Sequence, residues 1–338
     1  MNYATHLNTS LRPVTQAKPL VLDLFAGCGG LALGFESQGF ETLGFEMDVD
    51  CCATYRQNLD GDCVQAKLDR DYQFPKAQVV IGGPPCQPFS VGGHQNGIRD
   101  ARDGFPAFIA AVEQAQPDIW MFENVRGLMY RNKDYLDVII DALEGLGYVI
   151  EFRLLNAVNY GVPQNRERVI VVGHRGYFQY PLALTTRITA GQALNELATQ
   201  VDDNSKFLTD SMNTYVANYE KASNCITPRD LHLDRPARTL TCRNLAGATG
   251  DMHRIALQDG RRRRLTVREA ARLQSFPDWF EFQGSETSRY TQIGNAVPPM
   301  LAHHIAQSFR NYLNSDMRLK PNEIAKRRHP AQLQLLAA

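Results

Sequence analysis

A chain of 338 residues that is 43% hydrophobic and 21% charged has the make-up of a globular protein with about two domains. Its apolar runs fall short of the ~18 residues that span a bilayer, and residues 1–18 hold no apolar segment of the kind a secretory signal needs, so no membrane partner and no export are predicted. The 36 basic and 36 acidic residues cancel, which excludes a uniformly polyanion-coating surface; seven cysteines without a C-x-x-C pair predict a reducing cytosol, no disulfide framework and no metal site.

In chain order, residues 20–25 read as a buried strand running into a glycine turn, and 31–38 as the helix after it. Residues 41–46 read as a second strand, 49–58 as a helix, 78–81 as a strand, 105–116 as a helix and 119–122 as a strand. Leu136, Ile139, Ile140 and Leu143 form a helical stripe within 134–146, and further strands are expected at 148–155 and 169–172. This alternation predicts an α/β fold on a mostly parallel, helix-covered sheet. It stops near Arg175. To about residue 260 the chain is irregular, polar and turn-rich. A helix over 265–274 follows, with Thr266 as N-cap before Glu269, then an amphipathic helix over 300–313.

Three stretches carry chemistry. Gly82-Gly83-Pro84-Pro85-Cys86-Gln87-Pro88-Phe89-Ser90 follows an apolar strand; its glycines and prolines impose a rigid turn, where a parallel sheet usually places its reactive groups. Cys86 on that turn is a candidate nucleophile, although most free cysteines are small buried hydrophobes. Gly27-Cys28-Gly29-Gly30-Leu31-Ala32 fits the loose dinucleotide pattern G-x-G-x-x-A, and Glu46 ends the next strand, where an acid grips ribose hydroxyls. The pattern alone admits a nicotinamide dinucleotide or S-adenosylmethionine. Between residues 229 and 264 stand nine arginines and four aspartates, with no lysine or glutamate, which predicts a local polyanion site.

Taken together and in order, these stretches resemble the DNA (cytosine-5) methyltransferases of bacterial restriction-modification systems, over residues 20–309. Residues 23–30 resemble the family's first motif and 83–90 its nucleophile motif. Glu123-Asn124-Val125 is similar to its E-N-V motif, and Gln164-Asn165-Arg166-Glu167-Arg168 to Q-x-R-x-R. Residues 264–274 and 292–299 resemble the ninth and tenth motifs. The resemblance implies a Rossmann-like S-adenosylmethionine-dependent methyltransferase sheet with a smaller, irregular target-recognition domain. The catalytic and cofactor-binding domain would occupy 1–175, completed by 290–315. The recognition domain would occupy 176–289, including the ninth-motif helix, with a basic, partly disordered tail over 316–338.

The resemblance also implies roles. Cys86 would add to carbon 6 of cytosine, Glu123 would hold a proton at N3, and Arg168, with Arg166 nearby, would bind the base oxygen. S-adenosylmethionine would contact Phe25, Ala26, Gly27, Gly30, Glu46, Met47, Asp62, Cys63, Pro85, Asn295, Ala296 and Val297. Double-stranded DNA would meet Ser90, Gly92, Thr239, Leu240 and Arg243, with residues 91–97 as a loop closing over a flipped base and 261–264 facing phosphate. A monomer in the bacterial cytosol at the nucleoid is expected, with a separately encoded cognate restriction endonuclease. A tRNA methyltransferase of the same superfamily is the alternative. Its Cys-Phe-Thr element is missing, since Cys225 precedes Ile226-Thr227 and Cys242 precedes Arg243-Asn244.

Overall fold

Seven strands make the central sheet in a computed structural model that describes residues 2–14, 19–85, 103–203, 205–222, 224, 229–247 and 250–315. They are β1 (Leu20–Leu24), β2 (Glu41–Glu46), β3 (Asp62–Gln65), β4 (Val79–Gly82), β5 (Ile119–Val125), β6 (Val149–Asn156) and β7 (Glu167–His174). The order across the sheet is β3-β2-β1-β4-β5-β7-β6. The first five run parallel, and β7 is antiparallel to both its neighbours. The predicted α/β class and the mostly parallel sheet are thus observed.

The helices of this half are α2 (Gly30–Glu36), α3 (Val49–Asn58), α4 (Phe105–Ala115), α5 (Gly127–Tyr130) and α6 (Lys133–Gly145). Helix α1 (Tyr3–Ser10) precedes the sheet in sequence. Alternation along the strands sorts side chains to two faces. Leu22, Leu24, Val80, Trp120, Phe122, Val169 and Val171 pack with Phe108 and Val112 of α4 and Ile139, Ile140 and Leu143 of α6 in one buried cluster. The sheet order reverses between β1 and β4. At such a switch point the loops leaving adjacent strands diverge and open a crevice at the carboxyl ends of the strands.

The chain divides into two compact units. The sheet unit comprises Arg12–Asn156, Glu167–Leu182 and the chain from Ala302; the second comprises Met1–Leu11, Ala157–Arg166 and Ala183–Leu301. The boundaries therefore differ from the expected 1–175 and 176–289. Helix α1 and residues 157–166 group with the second unit because they pack there: the Tyr3 hydroxyl donates to the Gly161 carbonyl at 2.9 Å, and the Asn8 side chain accepts from the Asp278 amide at 2.7 Å. The second unit also holds α7 (Ala190–Leu194), α8 (Asp210–Ala222), α9 (Cys242–Ala246), β8 (Arg254–Ala256), β9 (Arg262–Arg264), α10 (Val267–Leu273) and α11 (Glu286–Asn295). The boundary falls within α12 (Pro299–Leu313). The stretch after Arg175 is less irregular than its sequence suggests, because α8 lies inside it. The expected Thr266 cap is present as a reciprocal capping box with Glu269.

Candidate active site

At the carboxyl end of β1 the backbone turns sharply. Phe25, Gly27 and Gly29 all have positive φ, of 57°, 55° and 88°. For Phe25 that is a strained conformation, of the kind concentrated at functional sites. Gly29 could not carry a side chain, since a Cβ there would lie 2.6 Å from Leu59 Cδ1. Among the described residues, a Cβ on Gly27 would meet nothing within 4 Å. Glu46, at the end of β2, reaches into this loop: its Oε2 accepts from the Gly27 amide at 2.9 Å and its Oε1 from the Met47 and Asp48 amides at 2.8 and 2.9 Å. Met47 itself is 64% exposed. Asp62 begins β3, where its Oδ1 accepts from the Cys63 amide at 2.7 Å and from Arg56 Nε at 3.0 Å, which lowers its pKa. Cys63 is buried beside it, and burial pushes its thiol pKa up.

Asp23, in the first-motif stretch, lies on β1. Its carboxylate is buried, and neither oxygen makes a hydrogen bond among the described residues. Burial, and then the charge of Glu46, push its pKa well up, against a smaller opposing backbone contact with Ala32. The glycine loop at the carboxyl end of β1, with Glu46 held against the Gly27 amide at its edge, fits a nucleoside such as S-adenosylmethionine.

Beta4 leaves the sheet next to β1. The Gly83 amide donates to the Leu24 carbonyl at 3.3 Å. The turn that follows is braced from two sides: Asn124 Nδ2 donates to the Pro84 carbonyl at 2.9 Å, and the Gly104 amide to the Pro85 carbonyl at 3.0 Å. A Cβ on Gly104 would collide with the Pro85 and Phe25 side chains at 2.5 and 2.8 Å, so both turns rest against that glycine. Cys86, Ser90, Gly92 and the whole 91–97 loop lie outside the described residues.

Glu123 lies on β5 rather than in a turn after it, and Arg168 lies on β7. In the antiparallel register Glu123 faces Ile170 and Val125 faces Arg168, so Glu123 and Arg168 are diagonal neighbours on one sheet face. Arg168 Nε sits 2.6 Å from Glu123 Oε1, both side chains only 13% exposed. Glu123 Oε2 would lie 3.6 Å from a Cβ on Gly83, which puts the pair beside the turn leading to Cys86.

Arg166 is not part of that pair. It belongs to the second unit and is 1% exposed. Its guanidinium donates to the carbonyls of Leu240 at 2.7 Å, Gly294 at 3.2 Å and Ala296 at 3.1 Å. Arg166, expected beside Arg168 at the base, is thus committed to three backbone carbonyls and stands apart from the Glu123–Arg168 pair. Leu240, expected to meet DNA, is enclosed in the second unit. Its side chain is fully buried, its amide donates to Gln164 Oε1 at 2.9 Å, and its carbonyl is held by Arg166. Thr239 is half-buried, with its hydroxyl donating to the Asn165 carbonyl at 2.6 Å. Arg243 is exposed on α9. Asn295, Ala296 and Val297 form the end of α11 and the turn into α12.

The arginine-rich stretch is also different from expectation. Arg254 is fully buried between Glu220 at 2.6 Å and Asp230 at 2.5 Å, and Arg263 is buried against Glu269 at 2.7 Å. Arg238 pairs with Asp251 at 2.8 Å, Arg261 with Asp259 at 2.7 Å and Arg262 with Asp230 at 3.2 Å. The charge excess is largely spent inside the unit, because alternation on β9 turns Arg263 inward between its neighbours.

The glycine loop answered by an acid, the braced Gly-Pro-Pro turn and the glutamate–arginine pair across adjacent strands lie where the resemblance to S-adenosylmethionine-dependent cytosine methyltransferases places its motifs. The chain belongs to the C-5 cytosine-specific DNA methylase family, whose model matches residues 20–190 and 177–311, and it is a DNA cytosine-5 methyltransferase. It is 54% identical to the Type II methyltransferase M.AplI of Arthrospira platensis, over 92% of this chain and 91% of that one. It is 32% identical to the Type II methyltransferase M.NgoFVII of Neisseria gonorrhoeae, over 86% of each. Among solved structures, the Entamoeba histolytica methyltransferase EhMeth shares the fold with a TM-score of 0.69 at 17% identity, covering 89% of this chain and 100% of that one. The S. pombe Dnmt2 methyltransferase gives 0.66 at 15%, covering 88% and 100%.

Proposed function

We propose that this protein is the modification enzyme of a Type II restriction-modification system, acting on cytosine in double-stranded DNA through a covalent Cys86 adduct. The single observation that carries the reading is the 2.6 Å Glu123–Arg168 pair set beside the Gly83-Pro84-Pro85 turn. The 54% identity to a Type II methyltransferase supports the biological role, with a separately encoded endonuclease as cognate partner. The absence of a Cys-Phe-Thr element weighs against tRNA as substrate. No helix among the described residues is long and apolar enough to cross a membrane. The protein is read as a cytosolic monomer that meets its substrate at the nucleoid.

Carbon 5 of cytosine is a weak nucleophile until the ring loses its aromaticity. Cys86 thiolate forms a bond to carbon 6, and the displaced electron pair moves toward N3 and the base oxygen. Arg168 donates to that oxygen, and Glu123 holds a proton at N3, so both stabilise charge where it develops. Two groups fixed by strand register need no reorganisation when that happens. Carbon 5 is then enamine-like. S-adenosylmethionine, when bound, supplies an electrophilic methyl group. Loss of the carbon 5 proton to water or hydroxide lets the Cys86 sulfur depart. None of these atoms is reachable in a stacked duplex, so the base is flipped out. Phe25, Ala26, Gly27, Gly30, Glu46, Met47, Asp62, Cys63, Pro85 and residues 295–297 would hold the methyl donor, with Asp23 in the strand beneath the glycine loop. Ser90, Gly92, Thr239 and Arg243 would face DNA.

Duplex DNA carrying 5-fluorocytosine at a target site tests this directly, because fluorine at carbon 5 blocks the last elimination. The wild-type protein with methyl donor is expected to give a denaturant-stable complex, and Cys86→Ser none. A complex bonded elsewhere, or none with any cytosine-containing duplex, overturns the reading.

A further inference from the structure

Gln164 and Arg166 reach segments far away in sequence, and two of those segments, around Leu240 and around Ala296, are the ones read as touching DNA and methyl donor. Arg166 bridges the Leu240 carbonyl to those of Gly294 and Ala296 with one rigid fork. Gln164 repeats the link in parallel. Its Oε1 accepts from the Leu240 amide, and its Nε2 donates to Gln274 Oε1 at 2.6 Å. Gln274 Nε2 in turn donates to the same Ala296 carbonyl at 2.7 Å. The two elements also touch backbone to backbone: a Cβ on Gly294 would lie 2.3 Å from the Cys242 nitrogen and 2.5 Å from the Thr241 carbonyl carbon. All these residues belong to one compact unit.

We propose that Arg166 is a positioning residue that couples the two ligands, tying the segment of Thr239 and Leu240 to the turn of Asn295, Ala296 and Val297 so that DNA and methyl donor each tighten the binding of the other. The inference rests on the reading above, which assigns those segments to DNA and cofactor. Its physical basis is shared ordering. Three carbonyls held by one buried guanidinium move together, so the first ligand that fixes one segment fixes the other, and the second ligand meets a segment already ordered. Reciprocity follows from linkage. A lysine at 166 keeps the charge but cannot present a fork to three carbonyls.

The test titrates S-adenosylhomocysteine into the full chain with and without unmethylated phage DNA, and measures the ratio of the two dissociation constants. In the wild type DNA is expected to tighten S-adenosylhomocysteine by at least ~5-fold, and in Arg166→Lys by less than about 2-fold. The ratio is the readout because a merely structural defect weakens binding in both conditions alike. Where Arg166→Lys fails to fold, Gln274→Met, which cuts only the parallel link, and Gly294→Ala, which separates the two backbones, are each expected to lower the ratio. A wild-type ratio near one, or the same ratio in wild type and every folded variant, overturns the coupling. A protein that methylates the phage DNA yet shows a ratio of one refutes the coupling alone. One that binds neither ligand refutes the functional reading beneath it.

Discussion

Asp23 sits in the core with neither oxygen hydrogen-bonded among the described residues, and such a group is retained against its effect on stability only where function needs it. Its raised pKa means that the folded protein holds the proton more tightly than the unfolded chain. Stability is therefore lost as pH rises above the ordinary carboxyl range, and it is present below it. Asp23→Asn is expected to raise Tm at pH 7.5 by roughly 2–4 °C per kcal/mol relieved, while weakening S-adenosylmethionine binding at least ~10-fold. Calorimetry reads both, and a variant that binds as well as wild type removes Asp23 from the site. His253 has the opposite sign. It is buried, and desolvation, followed by the charge of Arg238, lowers its pKa to about 4. The folded state binds fewer protons than the unfolded chain between about 6.5 and 4, so stability is lost as pH falls through that window, by about 3 kcal/mol at most. Urea midpoints at pH 7.5 and 5 are expected to differ less in His253→Gln than in wild type. The roles proposed for Cys86, Glu123 and Arg168 could be read from the sequence because the chemistry demands a nucleophile, a proton holder and a fixed cation in motif spacing. The demotion of Arg166 was not. Two arginines two apart share a face only along a strand, and β7 begins at Glu167, so Arg166 lies outside the ladder that orients Arg168.

Helix α2 carries a glycine that the usual propensity argument would replace by alanine with a gain in stability. Here the sign reverses. A Cβ on Gly34 would stand 2.4 Å from Ala302 Cβ and 2.5 Å from the His303 nitrogen on α12, a backbone that cannot give way cheaply. Gly34→Ala is expected to destabilise by about 1–3 kcal/mol in chemical denaturation, and a stabilised variant would contradict this packing. The capping box of α10 carries a heavier burden than most. Glu269 accepts from the Thr266 amide at 2.7 Å and also neutralises Arg263, each of the pair 1% exposed. Glu269→Ala is expected to cost about 3–5 kcal/mol, because it leaves a buried guanidinium unpaired, and Arg263→Met with Glu269→Leu to recover most of that. Most strands and helices of the alternating half were legible within a residue or two, since burial on both faces of a parallel sheet gives continuous apolar runs, whereas β3 and α5 were not expected and β5 runs three residues past its expected end. Helices α1, α8 and α11 were missed for want of such runs. Their caps were the available signals: Asn2 accepts from the Thr5 amide, Thr209 from Met212 and Ser285 from Ser288.

Over the whole molecule, a net charge of zero leaves DNA attraction to whichever cations are not consumed internally. Arg254 and Arg263 are consumed, and Arg243 is exposed. Arg243→Ala is therefore expected to reduce the slope of log affinity against log salt by about 1 and to leave Tm unchanged. Arg254→Ala is expected to lower Tm sharply first, since it strands Glu220 and Asp230. Filter-binding titrations at several salt concentrations separate the two. The sequence by itself determined the fold class, the glycine loop, the reactive turn and the order of the motifs, because these depend on local sterics and on apolar periodicity that neighbours in the chain already encode. Only the tertiary structure decided that Glu123 meets Arg168, that Arg166 holds three carbonyls, and that most of an arginine-rich stretch neutralises its own unit. Those outcomes rest on strand register and on partners up to 130 residues apart, and a charge's destination depends on what is folded against it rather than on its neighbours in sequence.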